Sequence, residues 1–296
     1  MTADAAAFRL FHYRSFDNLR LAARIYDAPA GALPLVCLPG LTRTARDFHE
    51  LALRVVGGPQ HPRRVIAFDY RGRGESAWDP SPANYSVLTE MRDVFDGLAA
   101  LEVKLAIFFG TSRGGLITMI ANAVQPDAIA ASVLNDIGPV LEAEGLDDIR
   151  RYVGKTPDPP DWPGAVESLK RLHGQRFSAL TETDWEAWAR TTFADRNGRP
   201  AVDYDPALAM TLAPPPPPPE GTPPPDLWPQ FRALAAKPML VLRGVNSPLL
   251  GEATAAAMAA ANANVKLETV AGQGHPVQLR GAVNETVATF LAALPE

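Results

Sequence analysis

The chain has 296 residues, 47% of them hydrophobic, so it can bury a sizeable core as one domain with an insertion or as two small domains. The net charge is −5 and the basic residues are scattered, so the sequence predicts no basic surface that would bind nucleic acid or an anionic membrane. The only cysteine, Cys37, lies in an apolar run, which excludes an internal disulfide and a cysteine-based metal cluster. We expect no signal peptide, no membrane span and a cytoplasmic location, because neither a basic-then-apolar leader nor a long apolar run is present.

The first half of the chain alternates predicted strands and helices. An N-terminal β-hairpin is expected from residues 8–13 and 19–26, which alternate across a turn at residues 17–18. Further strands are predicted at residues 33–38, 65–68, 105–109 and 130–134, with helical segments at 45–56, 87–101 and 116–121. Strands that alternate with helices predict a parallel sheet with right-handed crossovers.

The alternation stops near Asp136 and resumes at residue 238. The last elements are predicted as strands at 238–242 and 265–270 and as helices at 252–261 and 277–294. Residues 138–230 hold four of the five tryptophans and most of the proline. We expect this segment to be a helical cap that lies over the carboxyl edge of the sheet, where ligands bind. Residues 1–137 and 231–296 are then the core. Its proline-rich part, residues 214–225, predicts an extended, solvated spacer.

The most informative motif is Gly110-Thr111-Ser112-Arg113-Gly114, which separates a predicted strand from a predicted helix. In this context G-x-S-x-G indicates a nucleophile elbow. A serine hydroxyl is a poor nucleophile until a base takes its proton, so it has to stand clear of the backbone. Flanking glycines remove the Cβ atoms that would clash in the sharp turn. We therefore predict Ser112 as the nucleophile.

The candidate base is His275, which lies in the glycine-flanked segment Gly274-His275-Pro276 between the last strand and the last helix. An early serine followed by a late histidine is one of the chain orders in which this pair occurs in serine hydrolases. The other four histidines are expected to be ordinary surface or core residues: His12, His49, His61 and His173.

Hydrolysis through a serine also needs two N–H donors for the developing oxyanion. We expect the backbone N–H of Arg113, directly after the nucleophile, to be one of them. The other is expected from Leu41, in the loop at residues 39–43, where Gly40 lets the backbone turn inward. The alternative for this loop is a plain turn.

With these residues assigned, the chain resembles the α/β-hydrolase fold superfamily over essentially its whole length apart from the cap. The matching blocks occur in order at residues 38–42, 69–76, 110–114, 135–139 and 274–275. The resemblance implies a mostly parallel eight-stranded sheet flanked by helices, with a helical cap inserted after strand six. It also implies that the block at 69–76 is a structural loop without a catalytic role.

The catalytic acid departs from the family pattern. Such hydrolases usually carry the aspartate after the seventh strand, where this chain has Pro248 in the segment at 243–250. Proline cannot accept the Nδ1–H bond that orients the histidine. Some family members place the acid after strand six, which corresponds to Asp136 here. The alternatives are that Asp136 is a loop or helix-cap carboxylate, that Glu252 is the acid, or that the site lacks one.

The sequence thus predicts a serine hydrolase that cleaves a carboxylic ester or lactone through an acyl-enzyme. An apolar substrate moiety is expected from the tryptophans of the cap and from Phe177, Phe193 and Trp78. No cofactor and no metal is implied, and the partner is a small-molecule ester or lactone. The alternatives are hydrolysis of a C–C bond in a ring-cleavage product, or ligand binding without turnover on the same scaffold. The oligomeric state is left open.

Overall fold

The computed structural model describes residues 7–58, 61–213 and 226–294. The predicted proline-rich spacer at 214–225 lies outside the described residues. Among the described helices, none combines the length and the apolar composition that a membrane span requires.

Eight strands form one mostly parallel sheet: β1 (Arg9–Arg14), β2 (Arg20–Tyr26), β3 (Leu35–Leu38), β4 (Val65–Asp69), β5 (Ala106–Thr111), β6 (Ile129–Asn135), β9 (Met239–Gly244) and β10 (Val265–Val270). Their order in the sheet is β1-β2-β4-β3-β5-β6-β9-β10, and β7 and β8 form a separate pair described below. Only β2 runs against the others, pairing antiparallel with both of its neighbours, β1 and β4. The predicted hairpin and the predicted sheet class are therefore confirmed.

The sheet is covered by helices on both faces. The helices of this part of the chain are α1 (His49–Val56), α2 (Val87–Ala100), α3 (Arg113–Val124), α8 (Glu252–Ala261) and α9 (Gly281–Ala292). Alternate residues of β3 enter different cores: Val36 and Leu38 pack with Phe108, whereas Leu35 and Cys37 pack on the opposite face. Burial on both faces explains why these strands read as continuous apolar runs.

Two predicted helices differ in their boundaries. Residues 45–56 begin as a 3₁₀ turn (Ala45–Phe48) before α1. The last helix begins at Gly281, not at Val277. The intervening backbone is held by side chains instead: Asn135 Nδ2 donates to the carbonyl of Val277 (2.9 Å), and Gln278 N–H donates to Gln273 Oε1 (2.7 Å). This loop carries His275, so its non-helical conformation serves the site.

Between β6 and β9 the chain forms a separate helical layer. Its elements are α4 (Ala143–Tyr152), α5 (Trp162–His173), α6 (Glu182–Thr192), the antiparallel pair β7 (Phe193–Arg196) and β8 (Arg199–Val202), and a 3₁₀ turn (Pro206–Leu212). The helix that follows, α7 (Trp228–Ala235), packs against α3 and buries Phe231 and Leu234 in the core beside the sheet. Helices α5 and α6 share a core of their own that includes Leu169, Phe177, Trp185 and Trp188. The role of this layer as a cap, and its boundaries at 138 and 230, stay predictions.

One short stretch of the insertion joins the turn after β4. Gly74 N–H donates to the carbonyl of Asp203 (3.1 Å), and Asp205 N–H donates to the carbonyl of Gly72 (2.8 Å). The hydroxyl of Tyr85 adds a bond to Asp205 Oδ2 (2.5 Å). Residues 203–205 are thus attached to the predicted structural loop at 69–76 mainly through backbone groups.

Candidate active site

Ser112 occupies the strained turn that its motif predicts. Strand β5 ends at Thr111, α3 begins at Arg113, and Ser112 between them has φ 51° and ψ −115°. A positive φ at a residue other than glycine costs about 1–3 kcal/mol, and such strain is typical of functional sites. The side chain is thereby held at the carboxyl end of the sheet.

The glycines around Ser112 have no room for a side chain. A Cβ at Gly114 would lie 2.1 Å from the carbonyl oxygen of Leu38, and a Cβ at Gly110 would lie 2.5 Å from the backbone of Gly114. Both obstacles are backbone atoms, which cannot rotate away. The turn therefore requires glycine at both positions.

The structure brings the serine, the predicted base and the predicted acid into one chain of hydrogen bonds. His275 Nε2 lies 2.9 Å from Ser112 Oγ, and His275 Nδ1 lies 2.8 Å from Asp136 Oδ2. With the proton on Nδ1, the imidazole donates to the carboxylate and accepts from the serine hydroxyl. This is the geometry in which a histidine can take the serine proton.

The carboxylate of Asp136 is fully buried and bonded on both oxygens. Oδ1 accepts from Gly244 N–H (2.9 Å), while Oδ2 accepts from the hydroxyl of Ser247 (2.6 Å) as well as from His275. Glu252, the other candidate acid, is the exposed first residue of α8. Within the described chain, the ring nitrogens of His275 bond only to Ser112 and Asp136.

Ser247 is a residue of this site that sequence reasoning missed. Its Oγ donates to Asp136 and accepts from the N–H groups of Leu249 and Leu250 (3.2 and 3.1 Å). The segment that carries Pro248 therefore supports the carboxylate of Asp136 and does not supply one of its own. The signal in the sequence is the serine directly before Pro248 in the family's acid segment.

The two predicted oxyanion donors flank the nucleophile. Arg113 follows Ser112 in the chain, and a Cβ on Gly40, the neighbour of Leu41, would lie 3.8 Å from Ser112 Cβ. The loop closes as a turn in which Arg43 N–H donates to the carbonyl of Gly40 (3.1 Å). Among the loop and cap bonds of the described residues, neither the N–H of Leu41 nor that of Arg113 is a donor.

Ser112 and His275 open into a cavity of about 340 Å³ between the sheet edge and the insertion. Its size is in the range of small-molecule sites. Arginines and carboxylates line part of the cavity, and residues 149–204 contribute apolar and aromatic side chains: Ile149, Tyr152, Leu169, Leu172, Trp188, Phe193, Val202 and Tyr204. Of the aromatic residues expected to meet the substrate, Trp188 and Phe193 line the cavity. Trp185 and Phe177 pack inside the insertion, and Trp78 is half exposed.

His173 also lines this cavity, although an ordinary role was expected for it. Its ring stacks on Trp188 at 5.0 Å between centroids and meets the edge of Tyr152 at 5.8 Å. Burial lowers the pKa of His173 to about 4, with Arg43 and His275 adding to the effect. The imidazole is therefore neutral at neutral pH. Its position at the end of α5 gives no distinctive signal in the sequence.

The lowered pKa of His173 predicts a loss of stability in acid. The unfolded chain, with an ordinary pKa of 6.5, binds a proton that the folded protein excludes until about pH 4. We expect the free energy of unfolding to fall as pH drops through this interval, with His173 contributing up to about 3 kcal/mol. His173→Phe keeps an aromatic ring on Trp188 and should remove this part of the decline.

Urea unfolding at pH 7 and at pH 4.5 measures the effect. The matched control is His12→Phe, because His12 lies exposed on β1 and its replacement should leave the pH dependence as in the unmodified protein. An equal acid-induced decline in the His173→Phe variant and the unmodified protein would contradict the assignment.

Several known proteins are similar to this chain over most of its length. Residues 35–288 match the alpha/beta hydrolase family. The chain is 31% identical to the 3-hydroxybutyrate-oligomer hydrolase of Cupriavidus necator over 86% of this chain and 87% of that protein. It is 28% identical to the 2-(acetamidomethylene)succinate hydrolase of Mesorhizobium japonicum over 94% and 93%.

A solved structure shows the same architecture. The crystal structure of an alpha/beta hydrolase from Novosphingobium aromaticivorans superimposes with a TM-score of 0.87 at 37% sequence identity, covering 96% of this chain and 98% of that one. Together with the match over residues 35–288, this likeness extends through the sheet, the elbow and the histidine loop. The chain belongs to the alpha/beta hydrolase family.

Proposed function

We propose that this hydrolase cleaves a carboxylic ester or lactone through an acyl-enzyme formed on Ser112. The observation that carries the proposal is the hydrogen-bonded series Ser112–His275–Asp136, with 2.9 and 2.8 Å between the paired atoms, at the wall of a cavity of about 340 Å³. Such a series activates a hydroxyl that is otherwise unreactive.

Each residue of the site has a role in this reaction. The Oγ of Ser112 attacks the carbonyl carbon while its proton passes to His275 Nε2, and Asp136 stabilises the imidazolium that forms. The N–H groups of Leu41 and Arg113 hold the oxygen that becomes negative. His275 then protonates the leaving alcohol, and a water activated by the same histidine releases the acid.

The cavity favours a short, uncharged and largely apolar group beside the ester. Its lining includes Leu169, Trp188 and Phe193, and His173, one of the three histidines that line it, is neutral at neutral pH. Five arginines also line the cavity, and four of them are paired with carboxylates: Arg43 with Asp47, Arg46 with Asp203, Arg190 with Asp195 and Arg280 with Glu50. Because the Cupriavidus relative is named for 3-hydroxybutyrate oligomers, short aliphatic hydroxyacyl esters are the first substrates to test. In this proposal the insertion at 138–230 is the cap.

Covalent labelling tests the role of Ser112. A fluorophosphonate reacts with a serine that has a base and an oxyanion hole beside it, so we expect a single adduct by intact-mass analysis. The adduct should be lost in Ser112→Ala and retained in Ser178→Ala, where an exposed serine is replaced.

Turnover is measured on p-nitrophenyl butyrate and on a 3-hydroxybutyrate dimer. We expect hydrolysis that depends on Ser112 and His275 alike, because either loss disables the same unit. A protein that neither forms the adduct nor hydrolyses any ester of this class, but binds one, would be a receptor on a hydrolase scaffold.

A further inference from the structure

A buried carboxylate lies behind the nucleophile, outside the cavity. Glu90, in the first turn of α2, is fully buried and contacts two arginines. Its Oε1 accepts from Arg73 Nη1 (2.7 Å), and its Oε2 accepts from Arg113 Nε. Arg73 is also fully buried, so these charges are largely shielded from solvent. A charged cluster is costly to bury unless its members are paired, and here one carboxylate pairs with both cations.

The first arm of the cluster reaches the loop after β3. Arg73 Nε donates to the carbonyl of Leu41 (2.8 Å), and Arg73 Nη1 additionally donates to the carbonyl of Arg71 (2.6 Å). The guanidinium is planar, so fixing its Nη1 on Glu90 also fixes the direction of Nε. The carbonyl of Leu41 is thereby anchored, in the peptide that directly follows the one carrying the Leu41 N–H.

The second arm reaches the residue after the nucleophile. The side chain of Arg113 bonds to Glu90 through Nε and to the carbonyl of Tyr85 through Nη2 (2.9 Å). Arg113 is the first residue of α3, and its backbone N–H is the other proposed oxyanion donor. The same carboxylate therefore contacts the side chain of one donor residue and, through Arg73, the backbone carbonyl of the other.

The carboxylate is held in its ionised form. Burial disfavours the charge, but the guanidinium groups of Arg73 and Arg113 outweigh this and lower the pKa of Glu90 below its ordinary value. An ionised acceptor forms stronger and shorter bonds than a neutral one. The link between the two arms is therefore present throughout the neutral pH range.

From this arrangement we infer that Glu90 is a positioning residue that sets the spacing of the Leu41 and Arg113 N–H groups around the developing oxyanion. The inference rests on the proposed function, since it requires that these two groups form the oxyanion hole. Donors aimed in advance at the transition-state oxygen give the largest electrostatic stabilisation. A displacement of about 1 Å at such a position can cost 10²-fold in rate.

Glu90→Gln tests the inference because glutamine keeps the shape of the side chain but loses the charge and one acceptor. We expect kcat to fall by about 10²-fold, KM to change less than about threefold, and a boronic acid that mimics the tetrahedral state to bind about 10²-fold more weakly. The matched control is Asp93→Asn. Asp93 is buried on the same helix and pairs with Arg71 (2.7 and 2.6 Å), without a bond to the Leu41 loop or to Arg113 among the described residues.

Rates are expressed per site titrated with a fluorophosphonate, so that misfolded protein is not counted. If Glu90→Gln does not fold, Arg113→Met gives the same test from the other arm, because it keeps the backbone N–H and leaves the Arg73–Glu90 pair. We then expect about a 10-fold loss in both kcat and boronate affinity.

The outcomes separate the two proposals. Retention of kcat and boronate affinity within threefold in the folded variants, with hydrolysis still dependent on Ser112, would overturn the role of Glu90 alone. An equal loss in Asp93→Asn would also overturn it, by making the effect one of general stability. Hydrolysis that survives Ser112→Ala would instead overturn the proposed function.

Discussion

Replacing Asp136 with asparagine is expected to lower kcat by about 10⁴-fold while the protein stays folded. Asparagine keeps the size of the side chain and still accepts the Gly244 N–H bond on one atom. The amide NH2 group that then faces His275 cannot accept a hydrogen bond from Nδ1–H, as the carboxylate oxygen does. The imidazole therefore adopts the other tautomer, in which Nε2 carries a proton and cannot accept the one from Ser112. The imidazolium also loses the negative charge that stabilises it.

Steady-state kinetics on p-nitrophenyl butyrate, with circular dichroism to confirm folding, measures this effect. Glu252→Gln is the matched control, because Glu252 is an exposed carboxylate at the start of α8 and its neutralisation should change kcat less than about twofold. Near-full activity of Asp136→Asn alongside an inactive His275→Ala would reduce Asp136 to a loop carboxylate.

The second large effect is expected on the fold, from Gly114→Ala. The added Cβ would lie 2.1 Å from the carbonyl oxygen of Leu38, an atom of the central strand β3. Relieving that contact requires β3 and the start of α3 to separate, which disturbs the packing of both. We expect the free energy of unfolding to fall by about 4 kcal/mol or more, a large share of the ~5–15 kcal/mol that stabilises a typical domain.

The measurement is the urea midpoint of the purified variant, or its soluble yield where it does not accumulate. Gly251→Ala provides the comparison, because its Cβ would meet Glu142 Oε1 at 2.5 Å, the end of an exposed side chain that can rotate away. Equal urea midpoints for Gly114→Ala and the unmodified protein would contradict the contact between a Cβ at residue 114 and the carbonyl oxygen of Leu38.

Local sequence patterns predicted the sheet, and they identified Ser112 and His275 as candidates that the structure brings together. Strands β3 to β6 could be recognised as apolar runs because helices cover both faces of the sheet. The glycines beside Ser112 could be interpreted because the turn that requires them spans only five residues. His275 could be placed because it follows the last strand in a glycine-flanked loop. Each of these signals depends on neighbours in the chain, which a sequence displays directly.

The acid and its support could not be derived in the same way. Asp136 meets Gly244 and Ser247 because β6 pairs with β9, with Asn135 opposite Leu242, although more than a hundred residues separate the two strands. Sequence reasoning could name Asp136 as a candidate but could not supply that pairing. The same holds for His173, whose position in the cavity depends on how α5 packs over the sheet edge.

The attachment of residues 203–205 to the turn after β4 bears on how new specificities could be built on this scaffold. Two of its bonds use only backbone atoms, Gly74 to Asp203 and Asp205 to Gly72, so they tolerate changes of side chain. A chimera that exchanges the cavity wall from α4 to α6 but keeps residues 203–205 would retain these two backbone hydrogen bonds. One that replaces the whole insertion would also have to recreate a strand-like partner for Arg73, the residue that anchors Leu41. A crossover before residue 203 therefore keeps the contacts of Arg73, but the exchanged α6 also has to keep Thr191 and Thr192, which accept hydrogen bonds from Arg43 in the Leu41 loop.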